Sequence, residues 1–321
     1  MPNYQGVWSL STQYQNRSGW PYAPPSGDSA IIFGASQSGT PPLTAGIQFQ
    51  NFASGGSMQT FGDLAHIYGS LGGAMGNSTF AIQGFIASPA ENRVDIKYVT
   101  ISSMGNQQTW GELGRSAYAG GATSNSTRGL WWGGVGASAY IQYMTLSSTG
   151  NATDFGTIAE TNYQQNAALC STTRAISCGG YGDNIGAPEY AVNSLWYVTI
   201  ANTGNAADFG DMTRKARQVG ASGSNTRGLF SGGYNNNAFA INVIDYVTIA
   251  STGNASDFGD LTVAGRTAST SNKVVSINYG IQNTNTINKV TIDTTGNATD
   301  FGDMSVLTEA TATSNAHGGL A

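Results

Sequence analysis

One segment recurs six times along this chain of 321 residues, and the recurrence limits the fold more than any other feature. The clearest copies are YVTIANTGNAADFGDM from Tyr197 to Met212, YVTIASTGNASDFGDL from Tyr246 to Leu261 and KVTIDTTGNATDFGDM from Lys289 to Met304. An earlier copy, YMTLSSTGNATDFGTI, runs from Tyr143 to Ile158, and looser ones run from Tyr98 to Leu113 and from Phe49 to Leu64. The aromatic residue before the glycine falls at Phe61, Trp110, Phe155, Phe209, Phe258 and Phe301, at intervals of 43 to 54 residues. A period of this length implies one supersecondary unit per repeat, which cannot close a core alone and stacks on its neighbours.

Every period has the same internal order. From Ala216 a run of small residues, ARQVGASGSN, leads through a polar turn into the apolar RGLFSGG, which ends at Gly232-Gly233. After a loop, INVIDYVTIAS alternates at period two, as a strand with two different faces requires. The turn TGNAS and the short strand DFGDL close the unit. No segment sustains a helical period. Four strands per unit, here lettered A to D, is the arithmetic of a propeller blade. The chain is therefore expected to be all-β: six four-stranded antiparallel blades over residues 29–321, with residues 1–28 outside the repeat.

Strand A is rich in Gly, Ala and Ser (Ala117 to Ala122, Gly220 to Gly223, Thr267 to Thr270), because inner strands crowd the propeller axis. The pairs Gly133-Gly134, Gly179-Gly180 and Gly232-Gly233 end strand B, where positive φ permits a sharp turn. The repeat aromatics are expected to pack on the neighbouring blade, each burial being worth roughly 1.5–3 kcal/mol. At the ends, Thr308–Asn315 reads as a strand A with nothing behind it, and Ser29–Ala35 as a strand B with no strand A before it. Their pairing would close the ring and remove two open edges.

This grammar resembles the kelch family: an apolar strand ending in Gly-Gly (Gly232-Gly233), a strand with a Tyr (Tyr246), and an aromatic after a short turn (Phe258, with Trp110 in blade 2). The resemblance covers about residues 29 to 316 and implies a propeller, most commonly used to bind protein. The repeat, together with a Gly6-Val7-Trp8-Ser9-Leu10 leader, also resembles repeat-bearing virion structural proteins of tailed phages. That second resemblance implies a non-enzymatic component of the virion exterior, on tail, fibre, neck or capsid surface, assembled in the host cytoplasm. Its partners would be other virion proteins, including copies of itself, and a glycan or protein receptor on the host.

Composition supports no competing class. Only 10 % of residues are charged and the net charge is −5, against a surface that tracks nucleic acid through clustered Lys and Arg. No run approaches 18 apolar residues, so no membrane span is expected, and no basic n-region with an apolar h-region opens the chain. Cys170 and Cys178 fall in one hairpin at an offset unsuited to a disulfide, so two buried free thiols are expected. His66 and His317 stand alone, and neither metal nor cofactor is expected.

The DFG tripeptides at Asp154, Asp208, Asp257 and Asp300 lack the Gly-rich loop, lysine and catalytic loop of a kinase. Their carboxylates are expected to accept bonds from turn N–H groups. Glu112, Glu160 and Glu189 form no recognisable facing pair of the kind glycosidases use, and with two His there is no Ser/His/Asp grouping. The chain is read as a non-enzyme.

Antiparallel order puts the A–B and C–D turns on one face and the variable B–C and D–A connections on the other. Diverse loops on a rigid scaffold are where binding is usually found. Four readings of the propeller follow: a virion structural or adhesion component, which leads, a sugar-binding propeller with Trp131, Trp132, Tyr181, Tyr190 and Tyr234 as stacking platforms, a kelch-like interaction module, and a propeller hydrolase. Residues 1–28 carry Trp8 and Trp20, read as the anchors of a docking segment.

Overall fold

The computed structural model describes residues 25, 27–36, 44–56, 58–65, 72–84, 94–115, 119–134, 139–183, 191–281, 285–304 and 309–320. The leader, with Trp8 and Trp20, lies outside these, as does Tyr190. Six four-stranded antiparallel sheets form a β-propeller. Blade 1 takes strand A from the C-terminus, Glu309–Ser314, and strands B to D from Ser29–Ser36, Thr44–Asn51 and Gln59–Asp63. Blade 2 comprises Ala74–Gly76, Phe80–Gln83, Asp95–Thr100 and Gln108–Glu112; blade 3, Gly121–Ser124, Arg128–Trp132, Tyr140–Thr145 and Thr153–Thr157. Blade 4 comprises Ala167–Cys170, Arg174–Cys178, Ser194–Thr199 and Ala207–Asp211; blade 5, Gly220–Gly223, Arg227–Ser231, Val243–Thr248 and Ser256–Asp260. Blade 6 comprises Arg266–Ser271, Val275–Ile281, Thr286–Thr291 and Thr299–Asp303. Ring closure pairs Ala30 with Ser314 through Ala35 with Glu309, as the chain ends predict. Blade 4 adds a two-stranded pairing that the repeat did not foretell, Thr161–Gln164 with Tyr181–Asp183, and it belongs to the longest period.

The repeated TGNA and DFGD segments are two halves of one contact. In every blade the ladder between strands C and D skips the aromatic, so that, for example, Ile141 pairs with Gly156 and Gln142 with Asp154 while Phe155 is bulged. A bulge leaves one residue unpaired in the ladder. The freed Phe155 carbonyl accepts from Gly204 N–H of the next blade (2.9 Å), and Phe209 likewise from Gly253 (2.7 Å). The following Asn then reaches back: Asn205 Oδ1 accepts from Thr157 N–H and Asn254 Oδ1 from Asp211 N–H, each at 3.0 Å. Asn106, Asn151 and Asn297 repeat this bond at 3.0 Å to Asp63, Glu112 and Asp260. The outer edge of each blade is thus covered by its neighbour's turn.

This latch explains the glycine after the aromatic. A Cβ on Gly156 would overlap the Gly204 carbonyl oxygen, and one on Gly62 or Gly111 would overlap the matching oxygen of Gly105 or Gly150. Gly156→Ala is therefore expected to cost up to about 3 kcal/mol, the upper end of ordinary overpacking. Gly150→Ala, with no atom within 4 Å of the added carbon, should cost much less. Urea unfolding of the two variants compares them directly.

Between the blades, the aromatic of one packs on the aliphatic pair of the next: Phe155 on Val198 and Ile200, Phe209 on Val247 and Ile249, Phe258 on Val290 and Ile292. The seam between blades 6 and 1 is looser. Blade 1 has Gly56-Ser57 where other turns have Gly-Asn, the Gly56 N–H to Phe301 carbonyl bond is 3.4 Å, and Phe301 is only partly buried.

The last residues of strands A form a ring near the axis, linked in two runs, through blades 2 to 4 and through blades 5, 6 and 1. Ser124 Oγ donates to Gly76 O (2.6 Å), Cys170 Sγ to Ser124 O (2.7 Å), Ser271 Oγ to Gly223 O (2.6 Å) and Ser314 Oγ to Ser271 O (2.5 Å). Cys170 thus fills a hydroxyl position. Both cysteines are free and buried, as expected, and burial pushes each thiol up to about 12.

Candidate functional site: a blind axial socket

A cavity of about 110 Å3 lies on the axis where strands A begin, on the face of the B–C and D–A connections. Glycine and alanine in strand A leave it room. Its depth is organised in layers by the strand registers. The rim carries Gln165, Gln218 and Arg266, which occupy equivalent positions in blades 4, 5 and 6. Below it lies a ring of Ala74, Ala122, Ala168, Ala221, Ser269 and Ala312, followed by a second cavity of about 40 Å3 at the Ser/Cys ring.

The C-terminal residues close the far end. After strand A of blade 1 the chain crosses the axis, and Gly318, Gly319 and Leu320 are buried. A Cβ on Gly318 or Gly319 would overlap the Ser224 or Ser124 carbonyl oxygen, so only glycine lets the backbone lie this close. His317 holds the crossing: Nε2–H donates to Gly76 O (2.9 Å), and Nδ1 accepts from Gly319 N–H (3.3 Å). Part of the residue reaches solvent, but both ring nitrogens are turned inward to these bonds. Burial of the ring is the main reason its pKa falls from the usual 6.5 to about 4, and the nearby Lys273 adds to the fall.

The neutral imidazole is the form the fold holds, so unfolded chains bind more protons between these two values. Stability should be complete above pH 6.5 and fall as pH drops through about 4, by at most about 1.4 kcal/mol per pH unit for this group. Melting temperatures of the wild type and His317→Ala across that range should converge on acidification.

The rim backbone is unusual. Gln165 and Gln218 have φ of 54° and 56°, a region few non-glycine residues adopt. Gln165 N–H donates to Ala119 O, and Gln218 N–H to Gln165 O (2.9 Å), linking blades 3, 4 and 5 around the mouth. Beside it, the Arg217 guanidinium lies over the Tyr181 ring (4.7 Å) and near Tyr234 (6.0 Å), with Nη1 3.4 Å from Gln165 Oε1. Farther out, Phe239 is 66 % exposed on a blade 5 loop whose Asn235 Oδ1 accepts from Asn237 and Phe239 N–H groups.

The structure separates the candidate stacking platforms. Tyr181 and Tyr234 are half-buried and flank Arg217. Trp131 and Trp132 are completely buried and are not platforms for a ligand. Neighbouring residues of a strand point to opposite sides, so Trp131 fills the contact between blades 2 and 3, and Trp132 that between blades 3 and 4. The period-two pattern of strand B was the signal that would have placed them there.

The DFG aspartates divide. Asp208 and Asp300 accept from Gly210 and Gly302 N–H (3.0 Å each), the expected turn bond. Asp154 instead takes a two-point pair with Arg115, whose hydrogen bonds hold its carboxyl below the usual range. Glu112 lies exposed on strand D of blade 2, while Glu160, between blades 3 and 4, accepts from Ser194 Oγ. Glu189 lies outside the described residues. The rim residues Gln165 and Gln218 escaped sequence reading because neither belongs to a repeated motif. In comparisons with known proteins, no family model and no curated protein matches the chain. A propeller of this build suits a protein-interaction platform.

Proposed function

We propose that this propeller is a non-catalytic structural or adhesion component of a virion exterior. The observation that carries the reading is the difference between its two faces. The C–D turns are nearly uniform, and five of them carry the same Asn latch. The opposite face holds loops of unlike length and chemistry around an open socket. A latched ring with one variable face is a rigid mount for contacts, to other particle subunits or to a host-surface glycan or protein. The sequence resemblance to phage virion proteins, repeat and leader together, supplies the setting, and the kelch-like grammar agrees with a role in binding. Residues 1–28, with Trp8 and Trp20, serve in this reading as the segment that docks on a neighbouring subunit.

Mass spectrometry of purified particles tests the reading. The chain should be present at constant stoichiometry. Protein lacking residues 1–28 should melt as the full chain does and be missing from particles. Absence of the full chain from particles overturns the virion role, and a large fall in melting temperature on truncation overturns docking in trans.

A further inference from the structure

We propose that the face of the A–B and C–D turns docks on a neighbouring particle subunit, and that this partner meets it with carboxylates. That the partner is a particle subunit rests on the virion reading; the preference for carboxylates stands without it. Arg128, Arg174 and Arg227 occupy one position in three successive blades, at the start of strand B, opposite Thr145, Thr199 and Thr248. The other blades place Ser29, Phe80 and Val275 there, so the arginines form an arc on one side of the ring. Each guanidinium is pinned twice. It lies over a Tyr of its own blade, 4.9 Å from Tyr143, 4.9 Å from Tyr197 and 4.6 Å from Tyr246. Its Nη1 donates to carbonyls just past strand C of the next blade, those of Ile200 and Ala201, of Ile249 and Ala250, and of Ile292, at 2.8 to 3.1 Å. The other edge, Nε with Nη2, has no partner among the described residues and is not sealed from solvent. Stacking and stapling fix its orientation, so little side-chain freedom is left to lose on binding. Arg115 shows what this edge suits: its Nε and Nη2 take the two oxygens of Asp154 at 3.1 and 2.7 Å.

None of the three arginines pairs with an acid among the described residues, although the chain has 18 acidic residues against 13 basic ones. The turns of this face hold two described acids, Asp28 before blade 1 and Asp293 in blade 6, and neither forms an ion pair with the arc. The leader joins the ring on the same face, where Gly27 O accepts from Asn315 Nδ2 and Asp28 from Asn272 Nδ2. Residues 1–27 include no Asp or Glu, so they do not supply the missing acids. Single fixed cations, one per blade on a chain of net charge −5, match carboxylates held at set positions on a folded surface. A nucleic acid or an anionic membrane calls for clustered Lys and Arg instead.

Biolayer interferometry of the full chain on immobilised poly-L-glutamate, beside polyphosphate and phosphatidylserine vesicles, is the test. Thr127, Thr173 and Thr226 are exposed and directly precede the arginines, so Thr127→Glu/Thr173→Glu/Thr226→Glu sets an acid beside each guanidinium and leaves the staples in place. Poly-L-glutamate should bind the wild type, and salt should weaken the contact by screening. The triple variant should keep its melting temperature and lose roughly tenfold or more in affinity. It should also be missing from particles that take up the wild type, whereas Lys215→Gln, on the opposite face, should change neither result. Four outcomes overturn the proposal: no binding to poly-L-glutamate, binding undiminished in the triple variant, a stronger response from polyphosphate or the vesicles, or normal entry of the triple variant into particles. Absence of the wild type itself from particles overturns the virion role alone, and the poly-L-glutamate measurement still decides the chemistry of the face.

Discussion

Asp245→Ala is expected to destabilise the propeller by roughly 3–5 kcal/mol, the usual result of leaving one member of a buried ion pair without its partner. Asp245 is fully buried in strand C of blade 5, and its Oδ2 lies 2.5 Å from Arg214 Nη1. Thr213 donates to the same carboxylate through its N–H (3.1 Å) and its hydroxyl (2.6 Å). Arg214 Nη2 also donates to the Val243 and Gly232 carbonyls at 2.8 and 3.1 Å, so the cation is held in place and would stay buried without its acid. The same strand position is neutral in blades 3 and 6. Gln142 accepts from Arg115 N–H, and Asn288 from Thr262 N–H and hydroxyl. Asp245→Asn should therefore preserve the Thr213 bonds and lose less stability, and Arg214→Met with Asp245→Leu should recover much of the loss. Equilibrium urea unfolding of the three variants checks the order.

The second large effect is at Phe258. This ring is 3 % exposed and fills the contact between blades 5 and 6, with Tyr246 edge-on at 6.0 Å. Phe258→Ala should cost roughly 3–5 kcal/mol through lost burial and the cavity left behind. Phe301→Ala, at the equivalent position of the partly buried seam, should cost clearly less. Equal losses in thermal or urea unfolding would show that the seam is packed as tightly as the other contacts.

The number of blades and their strand order were legible because both are written as periodicity. Closure was legible because Thr308–Asn315 and Ser29–Ala35 are each incomplete without the other. What the repeated residues touch was not legible. Asn254 recurs with its neighbours at every copy, but its partner, Asp211 N–H, belongs to the preceding copy, and recurrence alone carries no information about contacts between copies. Trp131 and Trp132 look like a binding surface when read as a composition and become core when read as alternating strand positions. The socket demanded more. The equivalence of Gln165, Gln218 and Arg266 emerges only from strand pairing, because the Gly-Gly landmark that aligns blades 4 and 5 is missing in blade 6. The axial crossing at His317 occurs once, so no pattern announces it.

The seam has a consequence for how the molecule comes into being. Strand A of blade 1 is made after every other described strand of the ring, and its partner Ala30–Ala35 before the rest. Until Glu309–Ser314 leaves the ribosome, every nascent chain carries an unpaired edge on blade 1 and an axis without its plug. Blades 2 to 6 can assemble in order of synthesis, each latching onto the one before, and the ring then waits for its final residues. A contact spanning nearly the whole chain forms late and slowly, and open strand edges invite pairing with other chains meanwhile. Translation stalled before Glu309 would thus yield open arcs, able to associate edge to edge, where synthesis through Glu309–Ser314 yields a closed ring.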